Sequence, residues 1–208
     1  MTSSVIHPKW LGEDVYIIGG GRSLYENKFN WSLLEDKNTI GCNTAFILGE
    51  KVCKICIFGD LIWFNAFGEQ LEKYKGTVYT SCNEFRRNPV PWVIQLKRYE
   101  NGLHLDGLGW NGNTGFNAIN LALLLGAKRV LLLGFDMKLG KDGRANWHGK
   151  EIEKPTQSIY KKFLFFQSII KKHLNEKFPE REIINITDDS DLTVFPKIGV
   201  QEYWKDKR

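Results

Sequence analysis

No stretch of this 208-residue chain is apolar for long enough to cross a bilayer; its hydrophobic runs stop well short of the roughly 18 residues that a spanning helix needs. The start, MTSSVIHPKWLGED, lacks the basic and then hydrophobic order of a secretory signal, so an intracellular, cytoplasmic protein is expected. Cysteine is sparse. Three of Cys42, Cys53, Cys56 and Cys82 sit inside or beside apolar runs, where a free thiol behaves as a small hydrophobe. Cys53 and Cys56 make one CKIC with no second CxxC, and no second histidine or carboxylate stands at zinc-ligand spacing, so no metal site is expected. Internal repeats, low-complexity tracts and clear linkers are also missing, which leaves one domain over residues 1–208 as the expected organisation.

The hydrophobic fraction, 42%, is enough for one sizeable core. A formal charge of +5 is mildly basic, with much of the excess in Arg86-Arg87, Lys161-Lys162, Lys171-Lys172 and the WKDKR tail. Such a balance suits an anionic ligand or polymer and is too weak to identify one. Runs at 14–18, 39–42, 54–58, 77–80, 92–96, 129–133 and 183–186 read as strands. Several are apolar throughout, as in strands buried on both faces. Helical spacing appears briefly over 24–35 and at 61–74, 115–125 and 157–177, the last with Pro155 and Thr156 as a start signal. The alternation predicts an α/β fold: a doubly wound, mostly parallel Rossmann-like sheet with helices on both faces. Ligands of such sheets bind beyond the carboxyl ends of the strands. The long polar connections, 99–113 and 137–156, are where function is expected.

Small and polar residues recur just after the strands: GGGRS at 19–23, Asn43, Gly59-Asp60, Ser81-Cys82-Asn83 and Gly134-Phe135-Asp136. In an open parallel sheet these ends face one crevice. Gly20, Gly21, Ser23, Asn43, Asp60, Ser81, Asn83 and Asp136 are therefore candidates for one nucleotide-binding site, with Arg22 either reaching phosphates or pointing into water. Glycines admit backbone N–H groups to a phosphate, and asparagines offer both donor and acceptor to a base or ribose. GGGRS fits neither the G-x-G-x-x-G fingerprint nor a P-loop. In GWNGNTGFNAIN, 109–120, a glycine-rich loop runs into a helix that Thr114 is placed to cap; Thr114, Gly115 and Asn117 join the candidates because helix N-termini bind anions. His148, in a long polar loop past a strand end, is the candidate to take a proton from a hydroxyl.

The order of these motifs resembles the bacterial sialyltransferase-like, CMP-sugar-dependent enzymes, nearest to short phage and prophage members, with features shared by the archaeal pterin pyrophosphokinase-like (DUF115) family. The resemblance rests on GGGRSL at 19–24, GCNTAF at 41–46, Asp60 where those enzymes carry asparagine, Thr114-Gly115 and GFD at 134–136. It implies an inverting, metal-independent glycosyltransferase with a nucleotide-activated sugar donor. His148 would be its general base and Asp136 would order the site, with Trp147 and Tyr160 nearest to the tyrosines that those enzymes place around the donor phosphate. It implies no bound cofactor, and host cytoplasm if the protein is phage-encoded. Asp60 repels phosphate and favours ribose or sugar hydroxyls. The alternatives are Mg²⁺-dependent diphosphate transfer to a pterin- or nucleoside-like alcohol and a non-catalytic nucleotide-binding or sequestering protein. Nucleic acid, through residues 83–99, is a less favoured partner, and a homo-oligomer is compatible with the sequence.

Overall fold

The computed structural model describes residues 6–152 and 156–205. Its strands are β1 (Asp14–Ile18), β2 (Asn38–Cys42), β3 (Ile55–Phe58), β4 (Thr77–Thr80), β5 (Val93–Gln95), β6 (Arg98–Tyr99), β7 (Leu108–Gly109), β8 (Arg129–Leu133) and β9 (Glu182–Asn185). The helices are α1 (Ser23–Glu26), α2 (Leu61–Leu71), α3 (Glu84–Arg87), α4 (Thr114–Leu124), α5 (Gln157–Phe165), α6 (Gln167–Lys177) and α7 (Val200–Lys205). Short 3₁₀ segments cover Trp31–Leu34 and Asn43–Leu48.

Seven strands form one sheet in the order β5-β4-β3-β2-β1-β8-β9, and every ladder in it is parallel. The chain winds outward from β1 to β5 and then returns to the other side of β1 as β8. The order thus reverses between β1 and β8, and the crevice of a doubly wound sheet opens at that point. The seven expected apolar runs are these seven strands, each end within one residue.

Two-residue alternation divides the core. Val15, Ile17, Val130 and Leu132 face α4 and α6, whereas Tyr16, Ile18, Leu131 and Leu133 face Leu24, Leu34 and α7. Both faces are covered, so strands such as β8 show no polar alternation. α4 carries nine buried residues, led by Phe116 and Ile119. Each large apolar side chain removed from water there contributes about 1.5–3 kcal/mol. Its two buried amides are satisfied: Asn120 accepts from the N–H groups of His104 and Gly109, and Asn117 donates to the Gly109 carbonyl. Asn111 donates to the carbonyls of Gly102 and Gly109 in turn, so three asparagines knit the 99–113 connection onto α4. Within that connection β6 and β7 form a small parallel pair that the sequence did not announce.

The helix expected over 157–177 is two helices, broken at Phe166, whose N–H bonds to the Phe163 carbonyl in a tighter turn. The apolar stripe serves two surfaces: Ile159, Tyr160 and Phe163 look into a cleft, while Ile170 and Leu174 pack on the sheet. One straight rod cannot present both. Pro155 lies outside the described residues, as do residues 206–208 of the basic tail. Trp204 from that tail is buried and stacks on Tyr16 at 5.6 Å between ring centroids. Trp204→Ala is expected to lower the unfolding free energy by about 3–5 kcal/mol, read as a lower urea midpoint with unchanged slope.

Candidate functional site

A cleft of about 470 Å³ opens above the carboxyl ends of β1 and β8. Gly20, Gly21, Asn43, Asp60, Thr114, Gly115, Asp136 and His148 all line it, joined by Trp110, Asn113, Met137, Lys138, Lys150, Glu151 and Tyr160. Five candidates stand elsewhere. Ser23 is buried behind the wall, where its N–H and Oγ–H donate to the two carboxylate oxygens of Asp136 at 2.7 and 2.6 Å. Ser81 donates to Asn117 Oδ1 at 3.1 Å, so both side chains are held within the scaffold. Asn83 is exposed just before α3.

Arg22 neither points into water nor lines the cleft. It is buried, with Nη2 on Asp142 Oδ2 at 2.6 Å, Nη1 on the Asn146 carbonyl at 3.2 Å and its guanidinium 3.8 Å from the centroid of the Tyr25 ring. It clamps the loop after β8. Trp147 adds to the clamp, its N–H and Nε1–H donating to the carbonyls of Gly20 and Gly19.

The glycine triplet therefore has a packing reason. A Cβ on Gly20 would lie 2.5 Å from Asn146 Oδ1, and one on Gly21 would overlap the Asp136 carboxylate and sit 2.5 Å from the Gly134 carbonyl oxygen. The Gly21 N–H donates to that carbonyl at 2.8 Å. The glycines bring the loops after β1 and β8 together first, and the cleft wall follows from their contact. Burial pushes the Asp136 carboxyl above its usual range, against the two Ser23 hydrogen bonds that favour the carboxylate.

Two helix N-termini reach the cleft with different caps. Asp60 caps α2, accepting from Trp63 N–H at 2.7 Å through Oδ1. Asn113, rather than Thr114, caps α4, accepting from Phe116 N–H at 3.2 Å. The negative Asp60 offsets the positive end of α2, whereas the neutral Asn113 leaves that of α4 available to an anion. Lys150 lines the same space, and Lys138 does so while ion-paired to Asp189 and Asp191. Asn43 and Met137 both hold left-handed backbone, φ 52° and 55°. Asn43 Oδ1 is buried with no hydrogen-bond partner among the described residues. Strained backbone and an orphaned acceptor in one cleft are marks of a functional surface.

His148 is half-buried, and its Nδ1 accepts from the Lys150 N–H at 3.0 Å, so the neutral ring carries its proton on Nε2. Burial pushes its pKa down to about 4, with Lys150 acting in the same direction and Glu151 against it. Burial pushes the Tyr160 hydroxyl up to about 12, so it is a donor at neutral pH. Among the described residues, no group of three or more His, Cys, Asp or Glu could hold a metal ion, and no helix is long and apolar enough to cross a membrane.

Trp110, Asn113, Met137, Lys150 and Glu151 were not singled out in the sequence. Asn113 had a readable signal, an asparagine three residues before the N–H that it accepts. The others enter only because separate loops fold over one another.

No protein-family model matches the chain, and no curated protein matches it in sequence. Among solved structures it is similar in fold to the MAf glycosyltransferase from Magnetospirillum magneticum AMB-1, with a TM-score of 0.63 and 16% identity, covering 93% of this chain and 34% of that one. The chain spans about a third of the length of that protein. The likeness is one of fold: an α/β, Rossmann-like arrangement that a glycosyltransferase also uses.

Gly21→Ala is expected to lose about 1–3 kcal/mol of stability, measured by chemical denaturation, because its Cβ meets backbone and a buried carboxylate. His148 is expected to titrate near pH 4 in the folded protein by NMR. Its folded pKa lies below the ordinary value of 6.5, so its contribution to stability is complete above pH 6.5 and is lost as pH falls towards 4. His148→Ala should remove that part of the pH dependence.

Proposed function

We propose that the cleft binds a nucleotide-activated sugar and that the protein is a glycosyltransferase. The observation that carries this reading is the pairing of two features in one cavity: a positive helix end at Thr114-Gly115 whose cap, Asn113, carries no charge, and an orphaned acceptor at Asn43 Oδ1. A nucleotide supplies the complement of both, phosphate oxygens for the α4 N-terminus and a base N–H for Asn43. Asp60, which repels phosphate, keeps a second carboxylate oxygen for ribose or sugar hydroxyls. The fold shared with a glycosyltransferase agrees with the reading.

In this mechanism the donor phosphate lies at the α4 N-terminus beside Lys150, and together they stabilise the charge of the leaving nucleotide without a divalent metal. The reaction inverts the anomeric carbon, because the acceptor hydroxyl attacks from the side opposite the phosphate. A CMP-sugar is the donor class that the motif order favours. Asp136 positions the wall through Ser23 and does not exchange protons with the substrate. His148 takes the acceptor proton and needs activation to do so, because its lone pair faces the Lys150 N–H and burial pushes its pKa down to about 4. The anionic phosphate of a bound donor draws that pKa upward, towards the range where a base is effective. Donor binding thus raises the basicity of His148, which acts once its ring turns away from the Lys150 N–H.

The test is a calorimetric screen with CMP, UDP, GDP, ADP-ribose and ATP, followed by NMR titration of His148 with the nucleotide that binds. CMP is expected to bind, and the His148 midpoint to rise on binding. His148→Ala should keep nucleotide affinity and lower transfer about 10²–10⁴-fold. Unchanged turnover in that variant removes the base role, activity abolished by a chelator points instead to Mg²⁺-dependent diphosphate transfer, and binding of no nucleotide sinks the proposal.

A further inference from the structure

A second hollow, about 350 Å³, lies beside α1, with Trp147 from the loop after β8 in its wall. Tyr25, Phe29, Trp31 and Trp147 line it, together with Glu26 and Lys28. The Trp31 ring centroid is 4.8 Å from that of Trp147 and 5.1 Å from that of Phe29, so three rings make one continuous wall. Tyr25 is 60% exposed, yet its ring is held by the stacked guanidinium of Arg22. Trp147 is fixed by its two hydrogen bonds to the glycine loop. Tyr25 is exposed, Trp31 and Trp147 are half-buried and Phe29 is buried behind them, and a partly exposed aromatic wall that is already ordered loses little entropy when a ligand settles on it.

Its chemistry narrows the ligand. Glu26 and Lys28 cancel in charge, so the hollow as a whole selects neither anions nor cations. Trp31 and Trp147 touch, which leaves no gap between them for an ammonium group; they form a wall and not a cage, and Arg22 already occupies one face of Tyr25. A neutral molecule with an apolar face and a hydroxylated edge matches every part. A pyranose ring is such a molecule: its C–H hydrogens carry partial positive charge towards the electron-rich ring faces, and its hydroxyls reach the Glu26 carboxylate and the Lys28 ammonium.

We propose that this hollow is a carbohydrate subsite, holding a sugar unit of the acceptor other than the one that reacts. The word acceptor rests on the transferase reading above; sugar binding at the wall does not. Trp147 lines the hollow and its neighbour His148 lines the cleft, with ring centroids 5.1 Å apart. A glycan stacked on Trp147 therefore has its next units at the edge of the cleft, and contacts with a non-reacting sugar orient the reacting hydroxyl towards His148.

Saturation-transfer NMR with the methyl glycosides of glucose, galactose and N-acetylglucosamine, and with choline, tests the assignment. At least one glycoside should receive saturation at its ring C–H protons. Its affinity should fall about two- to tenfold in Tyr25→Ala and in Trp31→Ala, and be retained in Tyr25→Phe, which keeps the ring. Tyr25 is exposed enough for its variant to fold even where Trp31→Ala does not, and the far-ultraviolet spectrum and melting temperature verify this. Tyr25→Ala should leave nucleotide affinity in the cleft unchanged. Failure of every nucleotide to bind, with glycoside binding intact and ring-dependent, removes the transferase reading and keeps the subsite. Saturation of no glycoside, equal binding in the wild type and both alanine variants, or ring-dependent binding of choline alone overturns it.

Discussion

Two hydrogen bonds from Ser23 to one buried carboxylate hold the cleft end of this protein together. Asp136 follows β8 and Ser23 opens α1 just after β1, so the contact closes the two loops at the point where the sheet reverses its strand order. A carboxylate with so little solvent is costly unless its lone pairs are met, and the Ser23 bonds meet both oxygens. The closure in turn demands glycine at position 21, because any side chain there would occupy the space of the carboxylate. The loop carrying His148 is then laid over the closed pair and fastened by Arg22 and Trp147.

The cleft that results is electrically lopsided. Its α2 side ends in a carboxylate cap and its α4 side in an amide cap, although the two helices present the same backbone dipole. On the proposed reading, an elongated ligand with one anionic end is thereby given a direction, phosphate to α4 and hydroxyls to α2. The orphaned Asn43 acceptor and its left-handed backbone lie in the same lining. On the proposed reading these are the costs of a site shaped for something that is not protein.

The sheet was legible because each strand is an apolar run bounded by glycine or a polar residue, and its coverage on both faces could be inferred from the lack of alternation in Val130–Leu133. The meeting of Gly21, Asn43, Asp60 and Asp136 could be inferred from strand ends, and Thr114 from the helix start that follows a glycine-rich loop. What stayed hidden is how a polar residue near a strand end divides its allegiance. Ser23, Ser81 and Asn117 have the right chemistry for a ligand, yet each is committed to a buried partner more than thirty positions away, and sequence spacing carries no trace of such pairs. Arg22 is the plainest case: its partners, Asp142 and the Asn146 carbonyl, are supplied by a loop whose path depends on the arginine itself. Helix 157–177 looked continuous because local spacing records that a face is apolar, and not which of two surfaces it must meet.

All four cysteines are buried, including the CKIC pair, and burial pushes the thiols up, to about 12 for Cys53 and Cys82. They stand at separate stations, one at the cleft end of β2, one before β3, one within β3 and one after β4. A thiol becomes nucleophilic only when it meets solvent and ionises, so each is silent while its neighbourhood stays shut. The molecule therefore carries four internal stopwatches across one half of its sheet, and the rate at which each is alkylated reports how often that station breathes. Cys42 lines the cleft; on the proposed reading its stopwatch alone is slowed by a bound nucleotide.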